Sequence, residues 1–220
     1  MSLKYFFSVI VGAAVTLQLL ILANMSYLYG SAYHDGSRYS SMKLLYVDYD
    51  QGSLGESGLT AYNSLKGPSF PKLIHQSQEQ YPTRADIQQA VCIGEYWGAI
   101  YSTQNASSLL STALFSPEVA RSYDNSPALQ STWSSTRYSA YAQSVFSNLL
   151  QITEAAAAVY RNTNGTDVLP LINASDQTIA KTILSPISAT STDLHPMPQR
   201  VRFYYNAVSM FMPIIINSFS

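Results

Sequence analysis

Residues 42–53 read MKLLYVDYDQGS, and the interpretation of the rest of the chain starts from this stretch. The run Met42–Tyr49 is rich in aliphatic and aromatic residues, which is typical of a buried strand. The next four residues, Asp50–Ser53, are of the types that form tight turns. The stretch therefore predicts a buried strand that ends in an acidic turn containing glycine.

Downstream of this strand, helical and extended patterns alternate. The helical patterns cover residues 55–65, 84–93 and 105–114, and the extended patterns cover 70–76 and 96–101. Thr83 is a suitable N-cap for the second helix. Residues 133–138 fit either a strand or a loop, and a longer helical pattern over 139–160 is expected to stop at Asn162–Gly165. Because alternating strands and helices form sheets with crossover connections, the sequence predicts an α/β domain with a mixed sheet, crossover helices and one long helix.

Upstream, residues 5–29 carry no charge and read YFFSVIVGAAVTLQLLILANMSYLY. A membrane-spanning helix needs about 20 apolar residues, and aromatic residues at both ends suit the two membrane interfaces. We therefore expect a transmembrane helix over 5–29, preceded by a short cytosolic tail over 1–4, since Lys4 favours the cytosolic side. A cleaved signal peptide is the alternative, although apolar regions of signals are shorter, at about 7–15 residues.

Residues 203–220 are again free of charge and read FYYNAVSMFMPIIINSFS. They fit either a strand or helix docked on the domain or the start of a second transmembrane segment, and we expect the second. On this interpretation residues 30–202 form an extracytoplasmic domain, and the chain is a fragment that ends inside its second span.

The composition points in the same direction. Charged residues make up 11% of the chain, against about 25% in ordinary soluble domains, and a surface of Ser, Thr, Asn and Tyr is common in exported proteins. The net charge of −1 gives no electrostatic footprint for nucleic acid. Four Asn-x-Ser/Thr sequons begin at Asn24, Asn105, Asn164 and Asn173. The first lies too close to the membrane to be used, and the other three asparagines are the expected glycosylation sites of an exported domain.

No set of residues has the spacing of a catalytic or metal site. Asp48–Gly52 resembles the start of a calcium loop but lacks the third oxygen ligand and the closing Glu, so a turn is expected. The glycine series at 52, 55 and 58 is not a phosphate-binding fingerprint, and Gly55–Gly58 misses the nucleophile elbow of serine hydrolases by one residue. The histidines, His34, His75 and His195, are dispersed, which argues against zinc. We therefore expect no enzyme, no catalytic residue, no metal and no cofactor.

Three further residues have both a structural and a functional interpretation. Trp97 and Trp133 have rings that could stack on a ligand, but core packing is the preferred interpretation. Cys92 could form a disulfide between two chains, but it lies in the apolar run 90–93 and is expected to be buried and inert.

The order of these segments resembles a known group of membrane proteins. An apolar span followed by the strand 44–49 and the turn 50–55 resembles the extracytoplasmic domain of ABC-2-type membrane proteins, and the helix, strand and helix start over 85–105 resemble its second block. Residues 135–138 before the long helix, and 194–198 before the final apolar run, make the chain most similar to the fungal nitrosoguanidine-resistance family. That family is related to the bacterial phage-infection-protein family.

The resemblance implies a multi-pass protein with one large loop between its first two spans. It implies tolerance of toxic compounds through export or changes in membrane lipids, in the plasma membrane or another membrane of the secretory pathway. The implied partners are the lipid bilayer and either other membrane-spanning subunits or the missing remainder of the chain. The chain departs from the family because its cytosolic tail is nearly absent and the later spans are missing. No ATP-binding motif occurs, so the energy source would lie elsewhere.

Two other functions remain open from the sequence. One is a singly anchored or secreted glycoprotein that binds a ligand or partner, with residues 203–220 packed into the fold. The other, a more distant alternative, is an exported hydrolase.

Overall fold

A computed structural model of the protein describes residues 3–32, 39–137, 139–172 and 176–196. These residues fall into two units, an N-terminal helix and a domain from residue 39 to residue 196. Three features predicted from the sequence lie outside the described residues: His34, the sequon asparagine Asn173 and the apolar run 203–220.

The N-terminal helix α1 covers Leu3–Ala32. Within it, Tyr5–Tyr27 forms a 23-residue apolar segment, and the most apolar 18 residues of this segment have a mean hydropathy of 2.4 and include no buried residue. At 1.5 Å per residue this segment measures roughly 34 Å, against about 30 Å for the hydrocarbon core of a bilayer. The polar side chains of Thr16 and Asn24 donate to the carbonyls of Gly12 and Leu20, at 2.9 and 2.8 Å. The helix is therefore long and apolar enough to cross a membrane.

The domain contains five strands among its described residues, interleaved with helices. The strands are β1 Lys43–Asp48, β2 Lys72–Gln76, β3 Gly98–Ser102, β4 Leu129–Trp133 and β5 Thr190–Asp193. The helices are α2 Ser53–Leu65, α3 Arg84–Cys92, α4 Ala106–Phe115, α5 Pro117–Ser122, α6 Ser139–Tyr160, α7 Thr166–Val168 and α8 Gln177–Leu184.

The strands form one mixed sheet in the order β2-β1-β3-β4-β5. Strand β1 pairs in parallel with both β2 and β3, β4 runs antiparallel to β3, and β5 runs parallel to β4. Parallel neighbours need crossover connections; α2 and α3 supply them among β1, β2 and β3, and α6, α7 and α8 lie in the connection between β4 and β5. The α/β fold with a mixed sheet and crossover helices is thus confirmed.

Strand β1 is buried on both faces, as its sequence predicted. Leu44 and Tyr46 belong to the larger core cluster, which also contains residues of α2, α4, α6 and α8. Leu45 and Val47 point to the opposite face and pack in a smaller cluster with residues of α3. Because side chains alternate between faces along a strand, a strand with four consecutive buried residues must have a layer of helices on each side.

Helix α3 begins as predicted. Thr83 accepts from the backbone N–H of Asp86, and the Asp86 side chain accepts from that of Thr83, which makes a capping box. The prediction that Cys92 is buried is wrong, since its side chain is exposed. The buried face of α3 consists of Ile87, Ala90 and Val91, and the next residue is turned about 100° away from that face.

The long helix α6 covers the predicted range, but its predicted stop is wrong. Helical geometry continues through a π-helical segment, Arg161–Gly165, and through α7 to a 3₁₀ turn at Leu169–Leu171. The hydroxyl groups of Thr163 and Thr166 donate to carbonyls four residues earlier, at 2.9 and 3.1 Å. These side chains bond back to the helix instead of capping its end.

Strands β4 and β5 and helix α8 were not predicted. Strand β4 reads LQSTW and β5 reads TSTD, so neither has the aliphatic run of β1. The buried hydroxyl groups of Ser131 and Thr132 donate to the carbonyls of Thr190 and Thr192 on the neighbouring strand, at 3.1 and 3.4 Å. These two strands are held by polar contacts, which the search for apolar runs does not detect.

We predict that Leu149→Ala will strongly destabilise the domain. Leu149 is 0% exposed on α6, and truncation of a buried Leu costs about 2–5 kcal/mol. The control is Leu109→Ala on α4, where the side chain is 58% exposed and a change within about 0.5 kcal/mol is expected. The measurement is denaturant unfolding of the full chain in detergent, followed by circular dichroism; equal effects of the two substitutions would contradict this packing.

Candidate functional site

The carboxyl ends of β1 and β3 lie side by side, with Asp48 opposite Ser102 in the register. The turn after β1 leads into α2, and the turn after β3 leads into α4. In open α/β sheets, ligands bind outside the carboxyl ends of the strands. This edge is therefore the first place to look for a site.

The Asp48 carboxylate holds the turn after β1 against β3. Its Oδ1 atom accepts from the backbone N–H groups of Asp50 and Gln51, both at 3.0 Å, and from Ser102 Oγ at 2.5 Å. Gln51 adopts a left-handed conformation with φ of 50°, which few residues other than glycine adopt. The predicted turn at 48–52 is confirmed, and its acidic side chain is used to fix the backbone.

The Asp50 carboxylate links this turn to the start of α4. Its Oδ1 atom accepts from the backbone N–H of Ser107 at 2.9 Å, and its Oδ2 atom accepts from Ser107 Oγ. The same Oγ atom accepts from the backbone N–H of Leu54 at 2.9 Å, at the start of α2. One carboxylate and one hydroxyl thus join the beginnings of two helices.

Two of the three glycines noted in the sequence allow α2 to lie close to β1. A Cβ atom at Gly55 would collide with the Asp48 carboxylate, and one at Gly58 would lie 2.6 Å from Tyr46 Oη. The hydroxyl of Tyr46 donates to the Gly55 carbonyl at 2.7 Å. The spacing of Gly55 and Gly58 is therefore explained by the close packing of α2 against β1.

A cleft of about 280 Å³ opens at the same edge of the sheet, on the face that carries α3. The side chains that line it include Tyr49, Gln78, Arg84, Tyr101, Gln104 and Gln130. Its volume is just below the usual range for ligand sites, which is about 300–1,000 Å³. The cleft is the candidate ligand-binding site of the domain.

Two tyrosines form one wall of the cleft. Their rings meet edge to face, with centroids 6.3 Å apart. Tyr49 Oη donates to the Tyr81 carbonyl at 2.6 Å, and Tyr101 Oη donates to Gln130 Oε1 at 2.9 Å. Burial raises the pKa of Tyr49 to about 12, with a smaller contribution from the nearby Asp86 carboxylate. Burial also raises the pKa of Tyr101, against the opposing effect of Arg84, so both phenols are neutral at physiological pH.

Arg84 supplies the charge of the cleft. Its guanidinium carbon lies 5.8 Å from the centroid of the Tyr101 ring, and its Nη2 atom donates to Thr192 Oγ1 at 3.3 Å. Within the described ranges, no carboxylate forms an ion pair with Arg84, and no acidic residue lines the cleft. The site is therefore cationic, with polar amides around the cation.

Two of the three predicted glycosylation sites, Asn105 and Asn164, lie among the described residues. Asn105 is exposed, has a left-handed φ of 61° and precedes α4 directly. Asn164 is half-buried in the π-helical segment, where its Oδ1 atom accepts from Thr163 Oγ1 at 2.9 Å.

The two tryptophans contribute to packing. Trp133 is buried and its ring stacks on Phe146 at 5.1 Å, which confirms the core interpretation for this residue. Trp97 is half-buried, and the guanidinium carbon of Arg137 lies 4.5 Å from the centroid of the Trp97 ring. Arg137 also donates to the carbonyls of Gly94 and Tyr96, at 2.7 and 2.6 Å.

The structure does not bring the acidic and histidine residues into a metal-binding group. In the part of the chain that the structure describes, no three His, Cys, Asp or Glu side chains are placed to hold a metal ion. Asp48 Oδ1 and both carboxylate oxygen atoms of Asp50 instead accept hydrogen bonds from backbone N–H groups and serine hydroxyls.

The sequence did not identify the cleft. Tyr49, Arg84 and Tyr101 are far apart in the chain, and they meet because β1 pairs with β3 while α3 covers the same face. The available signal was positional: Tyr49 and Tyr101 both lie at predicted strand ends, where parallel strands of one sheet would place them together.

Comparison with known proteins gives one family match. Residues 13–220 match the family model described as "Protein of unknown function (DUF3533)". No curated protein matches the sequence. A solved structure described as "a domain of a putative ABC type-2 transporter from Thermotoga maritima MSB8" is similar, with 13% identity, a TM-score of 0.39, and coverage of 75% of this chain and 99% of that chain. At so low a score this similarity carries no argument about function.

We predict that Asp50→Asn will loosen the contact between the two turns. The substitution keeps the size of the side chain and removes the charge from its bonds to Ser107, and hydrogen bonds to charged groups contribute about 1.5–3 kcal/mol. The free energy of unfolding, measured with denaturant in detergent, is therefore expected to fall by roughly 1–3 kcal/mol. The control Asp167→Asn changes an exposed carboxylate and should cost less than about 0.5 kcal/mol; no difference between the two would refute the role given to Asp50.

Proposed function

This chain belongs to the DUF3533 family, and we propose that it is an integral membrane protein of a drug- and toxicant-resistance, ABC-2 transporter-like class. It acts in export or in membrane-lipid homeostasis. The observation that carries this proposal is the 23-residue apolar segment of α1, followed in the chain by an α/β domain whose first strand ends in an acidic turn. The same order of segments underlies the resemblance to ABC-2-type proteins.

Export requires more than one membrane helix, because a pathway must be lined by several. The proposal therefore includes the lipid bilayer as a partner of α1 and further membrane-spanning segments beside it, from the same polypeptide or from other subunits. It assigns no catalytic step to the domain. In support, the carboxylates at the strand ends, Asp48 and Asp50, are bonded to backbone and serine groups.

We place the domain outside the cytosol, in the plasma membrane or another membrane of the secretory pathway. The support is its polar surface of low charge, the Asn-x-Ser/Thr sequons and the single lysine before the apolar segment. A sequon is glycosylated only in a chain that enters the secretory pathway.

The cleft favours a second candidate function, in which the chain is a singly anchored or secreted glycoprotein that binds a ligand. A cationic cleft with aromatic and amide side chains is suited to binding and needs no further membrane helices. The two functions differ in their dependence on the membrane, since a secreted binding protein would work without α1.

We predict that the sequons at Asn105, Asn164 and Asn173 will be glycosylated when the full chain is made in the presence of microsomal membranes. Each attached glycan lowers the mobility of the chain on a gel by one step, and glycosidase treatment reverses this shift. Substitution of each Asn by Gln should therefore remove one such shift. The control is Asn24→Gln: this sequon lies inside α1, where Asn24 bonds the Leu20 carbonyl at 2.8 Å, and no step should be lost. Absence of modification at all three sites would contradict an extracytoplasmic domain.

We predict that Leu17→Arg will abolish function in cells and Leu109→Arg will not. Leu17 is at the middle of the apolar segment, where an arginine costs about 2.5–3.5 kcal/mol of insertion free energy, whereas Leu109 is exposed on the domain. In cells that lack the gene, the reintroduced intact gene and its Leu109→Arg variant should restore tolerance of nitrosoguanidine. Leu17→Arg should restore none, and its product should be released from membranes by alkaline extraction.

Two results would count against the proposed function. If loss of the gene leaves tolerance unchanged, the chain has no part in resistance. If Leu17→Arg restores tolerance from a soluble product, the secreted binding protein is the better interpretation.

A further inference from the structure

We propose that the cleft at the carboxyl ends of β1 and β3 binds a small hydroxylated organic anion, of the size and chemistry of a sugar acid or a sugar phosphate. The cleft carries a cation, amide groups and aromatic rings in a volume of about 280 Å³. This inference concerns the cleft alone and does not depend on a role of the chain in export.

The charge of the cleft selects an anion. Arg84 is the charged member of the lining, and among the described residues it forms no ion pair. A guanidinium group beside an aromatic ring presents its N–H groups in a plane, which suits two-point contact with a carboxylate or a phosphate. The neutral phenols of Tyr49 and Tyr101 add no negative charge against such a ligand.

The amides select a ligand that also carries hydroxyl groups. Gln130 accepts from Tyr101 Oη through Oε1 at 2.9 Å, so its NH₂ group remains as a donor. The side chains of Gln78 and Gln104 line the same cleft and take part in no hydrogen bond among the described residues. Amide groups offer both donors and acceptors, as required for hydroxyl groups, which also do both.

The tyrosine wall and the volume of the cleft favour a ligand with a small, compact ring. The half-buried ring of Tyr49 offers an apolar surface, on which the C–H groups of a sugar ring can pack. A cleft of this volume has room for a single sugar ring with its charged substituent. The position of the cleft agrees with the rule that α/β domains bind ligands at the carboxyl ends of their strands.

A second cleft allows this assignment to be tested against a matched cation. It has a volume of about 200 Å³ and contains Arg121 and Lys181. Arg121 is one of several groups that lower the pKa of the Asp176 carboxyl, after the hydrogen bonds from Thr178 and Ile179. Neither Arg121 nor Lys181 lines the cleft at the strand ends, so a substitution of Arg121 removes a cation from the protein without changing that cleft.

The test is isothermal titration calorimetry on the full chain in detergent micelles, with D-glucuronate and glucose 6-phosphate as probes. Neutral glucose and inorganic phosphate are the comparison ligands. At least one of the two probes should bind, and both comparison ligands should bind at least about ten-fold more weakly, since each lacks one half of the recognised chemistry. Arg84→Gln should weaken binding of the probe by about ten-fold or more, because a charge-assisted hydrogen bond is lost.

Arg121→Gln is the matched control and should change the affinity by less than about two-fold, with no contact to the ligand lost. An unchanged thermal midpoint in Arg84→Gln, expected for this exposed side chain, assigns its effect to binding. The proposal is overturned by any of four results: no binding of either probe, equal binding of inorganic phosphate, unaltered affinity in Arg84→Gln, or loss of affinity in Arg121→Gln. None of these results bears on the membrane topology or on nitrosoguanidine tolerance, so this proposal and the proposed function fail separately.

Discussion

The arrangement of the domain depends on one contact between neighbouring strand ends, in which the Asp48 carboxylate accepts from Ser102 and from two backbone N–H groups of its own turn. A partly buried carboxylate is costly unless its oxygen atoms are bonded, so the turn after β1 must follow the position of β3. Asp50 extends the same constraint to the start of α4. The walls of the cleft are fixed as a result, because Tyr49 lies within this turn and Gln104 lies between β3 and α4.

Polar side chains bond carbonyls of their own helices in both units, and in the domain they also join separate elements. In α1 the side chains of Thr16 and Asn24 bond carbonyls of their own helix, which leaves the helix surface free for contact with lipid. In the domain, hydroxyl groups bond between strands, as Ser131 does with Thr190, and between the starts of helices. This use of Ser, Thr and Tyr explains how a domain with so few charged residues satisfies its buried polar atoms.

The sequence predicted those elements whose stability comes from apolar patterns or caps, such as β1, α6 and the Thr83 start of α3. The prediction was wrong or missing where side-chain hydroxyls determine the structure. Strands β4 and β5 lack an aliphatic run, and threonine hydroxyls bond the backbone where helical geometry continues through residues 162–165. The burial of Cys92 was wrong because an apolar run does not specify which side of a helix faces the core. The cleft was beyond prediction, since it depends on which strands pair and on the face that α3 covers.

The side-chain hydroxyl of Ser107 has two roles, one in the fold and one in a sequon. Its hydroxyl joins Asp50 to the start of α2, and the same hydroxyl completes the sequon that begins at Asn105. Replacing Ser107 by alanine would therefore abolish the sequon and also remove the hydroxyl that joins Asp50 to the start of α2. Replacing Asn105 would abolish the sequon and leave this hydroxyl in place, so the asparagine and the serine of one sequon differ in what their loss does to the fold.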